Sequence, residues 1–187
     1  SEFSWVKELV LDYENIIGVY TFSKTYAMTG WRLGYIVSKN KQLANIFKLG
    51  DYTQTAGVPT YTQFAGADAL SNLEMENKSV SAFMEEFVVR RDAMYEGLRA
   101  IDGVKLPCKP EGAFYIFPDF SEFVPKGLSE SENKLYVFNK LMDAGVATVY
   151  GSCFGNYFQH NLRFSYSTTN LKQIEEGITR IKRALHD

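Results

Sequence analysis

Apolar positions along this chain follow two rhythms. Between Leu73 and Ile101, the residues Val80, Phe83, Met84, Phe87, Val88, Met94, Tyr95, Leu98 and Ile101 return at three- and four-residue spacing. That spacing predicts one long helix, stopped by Asp102-Gly103. The chain repeats the rhythm at its far end, where Leu171, Ile174, Ile178, Ile181 and Leu185 form a stripe behind an Asn170 cap. Ser129 and Glu132 have capping-box spacing and open a further helix that Gly145 ends. Lys41 to Leu49 and the small-residue run Thr62 to Leu73 read as shorter helices, separated by Gly57-Val58-Pro59. Elsewhere β-branched and aromatic residues cluster in short runs. Ile16 to Ser23 and Trp31 to Val37 read as strands on either side of a polar loop, Lys24 to Gly30. Val104 to Pro107, Ala113 to Pro118, Val146 to Tyr150 and Asn161 to Tyr166 read as four more. Residues 1–15 are mixed and weakly helical. Strands alternating with helices predict an α/β fold. The break before the long helix divides residues 1–70 from residues 71–187, with that helix as a bridge.

Composition narrows the partners. The chain has 187 residues, 45% hydrophobic and 22% charged, with a net charge of −2. This hydrophobic share suits a folded core and excludes a disordered chain. Like charges form no blocks, so no nucleic-acid partner is expected. The longest run without Asp, Glu, Lys or Arg, Ala144 to Leu162, contains Gly, Asn, Gln and His and is no membrane span. The first residues lack the basic-then-apolar pattern of a secretory signal. Two cysteines, Cys108 and Cys153, make no disulfide framework, and His160 and His186 suggest no metal site. A reducing, cytoplasmic location is the expectation.

The chemistry concentrates in Thr21-Phe22-Ser23-Lys24-Thr25-Tyr26-Ala27-Met28-Thr29-Gly30-Trp31-Arg32-Leu33-Gly34-Tyr35. One strand delivers Lys24 at its end, and Arg32 arrives eight residues later at the start of the next. Two neighbouring strands then present a primary amine and a guanidinium on one ledge. A partly deprotonated amine condenses with a carbonyl. A planar guanidinium donates two parallel hydrogen bonds to a phosphate. Thr21 and Ser23 add hydroxyls. The set suits a cofactor with both an aldehyde and a phosphate, which is pyridoxal 5′-phosphate. Taken by residue chemistry alone, a solvated lysine and an ion-pairing arginine remain open readings.

The run Ser23-Lys24-Thr25-Tyr26-Ala27-Met28-Thr29-Gly30-Trp31-Arg32-Leu33-Gly34-Tyr35 closely resembles the lysine signature of the class I and II aminotransferases, the aspartate aminotransferase family of fold type I. Three downstream stretches fit the same family in order: Pro110 to Pro118, Gly145 to Gly155, and Asn161 to Tyr166. The resemblance implies that Lys24 is the Schiff-base lysine and proton shuttle, and that Arg32 binds the cofactor phosphate. It puts Thr21 where the family usually has a phosphate-binding serine, a mild departure that keeps the hydroxyl. It puts Arg163 where an arginine grips the substrate α-carboxylate, fixing the amino acid for attack. An amino acid and a 2-oxo acid are the implied substrates, aspartate-like in type, and a homodimer the implied assembly. Tyr150 stands where many relatives have proline. Cys153 reads as a small free thiol.

In the resembled family an aspartate pairs with the cofactor's ring nitrogen and keeps it an electron sink. That acid precedes the lysine by a long distance, and only 23 residues precede Lys24 here. Asp12, within Leu11-Asp12-Tyr13-Glu14-Asn15, reads as a surface approach to a strand and is rejected for that role. The expectation is therefore the C-terminal portion of an aminotransferase. Residues 1–70 would be the remnant of the large cofactor domain, residues 71–187 the small C-terminal domain, and the chain alone inactive. Two alternatives stand beside it: a lyase or synthase on the same scaffold, and an effector-binding domain of a transcription regulator.

Overall fold

The computed structural model describes residues 12–186. The weakly helical reading of residues 1–15 lies mostly outside that range. The chain divides into two compact units, one ending at Phe83 and the other running from Met84.

The first unit begins with an antiparallel hairpin. Strand β1 (Gly18–Thr21) pairs with β2 (Gly34–Val37) in the register Gly18 to Val37 and Thr21 to Gly34. The first strand stops earlier than its β-branched run predicts. Thr21 caps a one-turn helix α1 (Phe22–Thr25), its side chain accepting from the Ser23 backbone N–H. A satisfied cap on a buried Phe22 outweighs strand propensity here. The second strand starts later than predicted, because Arg32 adopts left-handed φ and ψ (53° and 45°) that no strand can hold. Helix α2 (Lys41–Thr55) runs a turn and a half beyond Leu49, opened by Asn40, whose Oδ1 accepts from Gln42 and Leu43 N–H. Helix α3 (Thr60–Ser71) starts directly after Pro59. Its Gly66 lies against the hairpin: a Cβ there would fall 2.4 Å from Leu33 Cδ2 and 3.3 Å from Phe22 Cζ. Any larger residue there would push Leu33 aside, so the close packing of Phe22, Leu33 and buried Thr62 uses the glycine.

Helix α4 (Leu73–Arg99) is the long predicted helix and crosses from one unit into the other. The second unit holds an antiparallel sheet of β3 (Tyr115–Ile116), β4 (Val149–Tyr150) and β5 (Leu162–Ser165), in the order β3-β5-β4. The strands are shorter than their apolar runs. Val104 to Pro107 forms only one bridge, Lys105 to Asp119, because Pro107 has no N–H to extend a ladder. Helices α5 (Glu130–Asp143) and α6 (Leu171–His186) complete the unit. The Ser129–Glu132 capping box opens α5 as predicted. Along β5 the alternation decides the faces: Leu162 and Phe164 are buried, Arg163 and Ser165 are not. Leu162, Phe164 and Ile116 join Leu98 and Ile101, Leu141, Ile174, Ile181 and Tyr166 in one continuous core. Each such buried side chain contributes about 1.5–3 kcal/mol of hydrophobic stabilisation.

Candidate functional site

The hairpin, α1 and the Thr25–Leu33 loop bring four of the five predicted site residues into one segment. Buried Phe22 fixes the turn by packing on Tyr26 (ring centroids 5.0 Å apart) and edge-on to Tyr35 (5.7 Å). With Phe22 inside, Lys24 is left exposed on the outer side of α1 and Ser23 half-buried beside it. Thr21 Oγ1 donates to Ser23 Oγ at 3.0 Å, so the two hydroxyls form one pair. The loop closes through a residue that the sequence did not single out. Thr29 donates its hydroxyl to the Ser23 carbonyl (3.0 Å), and its own carbonyl accepts from Arg32 Nη1 (3.3 Å). Thr29 thus ties the arginine back to the hydroxyl pair. A hydroxyl residue midway between the lysine and the arginine was the available signal.

Ala27 and Arg32 both hold φ of 53°, in the left-handed region. Such backbone costs about 1–3 kcal/mol per residue and persists only where the surroundings enforce it. Two such residues lie within the segment that carries the lysine, and Ala56 and Ala113 hold a similar φ elsewhere in the chain. A cavity of about 350 Å³ flanks the same loop, lined by Thr25, Tyr26 and Met28 against Ala65, Asp68 and Phe83.

The donor set fits pyridoxal 5′-phosphate. Lys24 offers an amine, Thr21 and Ser23 offer hydroxyls, and Arg32 offers a guanidinium whose fork keeps donors beyond its bond to Thr29.

The fifth residue, Arg163, lies in the second unit, on the sheet face opposite the core. Its guanidinium carbon sits 4.4 Å from the Tyr115 ring centre and 5.1 Å from that of Phe154. Around it, α4 braces the strand approaches. Arg91 Nη1 donates to the Pro110 carbonyl at 3.2 Å, and Arg90 Nη1 to that of Ser167 at 2.9 Å. Asp92 is hydrogen-bonded to Arg91 and Lys109, which hold its carboxyl below the usual carboxylate range. Tyr166 is buried and donates to the Ala113 carbonyl at 3.1 Å; burial pushes its phenol up. The neighbouring Cys153 raises the Tyr150 phenol. Both cysteines are free and exposed. Among the described residues no cluster of His, Cys, Asp or Glu could hold a metal ion, and no helix is long and apolar enough to cross a membrane.

The family model for aminotransferase class I and II matches residues 3–181. The chain belongs to this family. A probable aspartate aminotransferase of Methanocaldococcus jannaschii is 40% identical over 86% of this chain and 40% of its own length. The aspartate aminotransferase of Pyrococcus horikoshii is 36% identical over 92% of this chain and 41% of its own. Among solved structures, a Thermus thermophilus aspartate aminotransferase mutant superposes with a TM-score of 0.79 at 31% identity, covering 91% of this chain and 44% of that one. An aromatic aminotransferase from Pyrococcus horikoshii gives 0.77 at 35% identity, covering 92% and 43%. The chain therefore has the mixed α/β fold of these aminotransferases and spans about two fifths of the length of the curated relatives it matches.

Proposed function

We propose that this chain serves an aminotransferase that moves an amino group between an aspartate-like L-amino acid and a 2-oxo acid, with pyridoxal 5′-phosphate as cofactor. One observation supports the reading: hydrogen bonds tie the Thr21 and Ser23 hydroxyls and the Arg32 guanidinium into one loop, and Lys24 lies in that loop on α1. Relatives named aspartate aminotransferase support the substrate class, and one of the Thermus thermophilus structures holds maleate, a dicarboxylate. Residues 1–70 are then the end of a large cofactor-binding domain and residues 71–187 the smaller domain. The assembly is a cytoplasmic homodimer.

When bound, the cofactor supplies an electron sink for the pair left at the α-carbon. The chain's residues do the rest. Arg32, Thr21 and Ser23 hold the phosphate through charge-assisted hydrogen bonds. Arg163 takes the α-carboxylate in its fork, which fixes the orientation of the α-carbon. Lys24 Nζ, when neutral, takes the α-proton and returns it one position along. On this reading the 187 residues by themselves turn over no substrate.

The test is Lys24→Ala in the full-length protein. Transamination should vanish, together with the visible absorbance of lysine-bound cofactor. Full turnover by the variant overturns the reading. In a parallel titration of the 187-residue chain with pyridoxal 5′-phosphate, weak uptake without turnover is expected. Turnover there overturns the inactivity of the chain alone.

A further inference from the structure

Arg163 is held in an unusual way for a sheet arginine. Its side chain makes no hydrogen bond and no ion pair among the described residues. What it has instead are rings. Tyr115 is the register partner of Ser165, and Ser165 and Arg163 share the face of β5 turned away from the core. Tyr115 therefore lies diagonally across from Arg163 on that same face, within reach of a long side chain. Phe154 arrives from the turn that follows β4, where Val149 is the register partner of Arg163.

That turn is fixed firmly enough to place a ring. The Gly151 N–H donates to the Asn161 carbonyl at 2.7 Å, and a Cβ on Gly151 would lie 2.1 Å from the Phe158 carbonyl oxygen. Phe117, two residues beyond Tyr115 and so on the same face, packs edge-on to Phe154 (5.6 Å, 86°) and to Phe158 (5.4 Å, 65°).

We propose that Tyr115 and Phe154 are positioning residues: their rings hold the Arg163 guanidinium and leave its N–H donors open to a carboxylate. The proposal rests on the reading of Arg163 as the residue that takes the substrate carboxylate. The physical logic is that a ring attracts the cation through its face, while a carboxylate binds in the guanidinium plane. The two interactions do not compete. An acidic side chain in place of either ring would occupy the fork and exclude substrate. Rings also withdraw the cation from water without using any of its donors, so a bound carboxylate meets a preordered fork.

The experiment uses the full-length enzyme with Tyr115→Leu and Phe154→Leu, which keep apolar volume and lose the ring face. KM for the amino acid and the 2-oxo acid should rise about three- to ten-fold with kcat within about two-fold, as loss of uniform substrate binding requires. The dissociation constant of maleate should rise by the same factor, and Tyr115→Phe should restore both. Unchanged KM and maleate binding in both leucine variants overturns the proposal, as does a fall in kcat that Tyr115→Phe leaves in place. Arg163→Gln separates the two levels. If it leaves maleate binding intact, the underlying reading of Arg163 fails. If it abolishes binding while the leucine variants are silent, that reading stands and only the ring proposal falls.

Discussion

The two units of this chain bury apolar surface very differently. In the second, thirteen buried residues from Met94 to Leu185 form one continuous cluster drawn from three helices, the sheet and the connections at Ile101, Phe120 and Tyr166. Among the described residues of the first, the buried large apolar residues are Phe22 and Leu33, while Val19 is 76% exposed, Phe64 73% and Ile46 63%. Helix α2 buries none of its residues. Both units combine antiparallel strands with helices, so element content does not explain the difference. The second unit packs three helices against its sheet, and among the described residues of the first much of the apolar surface stays exposed. Exposed apolar surface of this kind marks a contact surface. The lysine loop therefore sits on the thinner unit, held by local hydrogen bonds and one buried ring, whereas Arg163 sits on a sheet backed by a full core.

The comparison can be broken most directly at the cores. Leu141→Ala removes a fully buried side chain and should cost about 2–5 kcal/mol in urea unfolding. Ile46→Ala should stay within about 0.5 kcal/mol. An equal loss at both positions would show that α2 is covered in solution, and the contrast would disappear.

Glycines give a smaller contrast. Gly151→Ala places a methyl against two carbonyl oxygens, at 2.1 and 2.6 Å, and should cost about 1–3 kcal/mol in thermal unfolding. The near-ultraviolet signal of the Phe117–Phe154–Phe158 cluster should change with it. Gly30→Ala, with nothing within 4 Å, should be neutral. A silent Gly151→Ala would mean that the Arg163 side of the molecule is no more rigid than the lysine loop.

The smallest effect is electrostatic. Hydrogen bonds from Arg91 and then Lys109 depress the Asp92 carboxyl from its ordinary value of 3.8. A depressed carboxyl contributes stability that is fully present above the unfolded value and is lost as pH falls through the folded one. Acid titration below about pH 4 should therefore weaken the brace of α4 on residues 109–110, and Asp92→Asn should flatten that part of the stability curve. Because the pair is partly exposed, the effect should also shrink with salt. A curve that Asp92→Asn leaves unaltered would remove Asp92 from the account.

Helices were legible wherever the three- and four-residue rhythm ran long. Helices α4 and α6, and the capping box of α5, needed nothing beyond the local pattern. Most strand limits were not legible, apart from the ends of β2 at Val37 and β4 at Tyr150. Thr21 reads as a strand residue by propensity, and its role as a cap depends on Phe22 being buried. Arg32 reads as a strand start, and its left-handed backbone follows from closure of the loop through Thr29. Lys24, Arg32 and Arg163 stood out because their spacing and flanking motifs carry the family signature. The rings around Arg163 did not, since Tyr115 and Phe154 lie 39 residues apart in the chain.

The sequence by itself determined the periodic elements, the family and the chemical groups on offer, because each is written in short-range order: spacing, caps and motif. Tertiary structure decided which of those groups meet and which faces stay open. Whether an aromatic ring is core or clamp depends on what lies across the sheet from it, and that is set by strand register and loop closure between residues far apart in the chain.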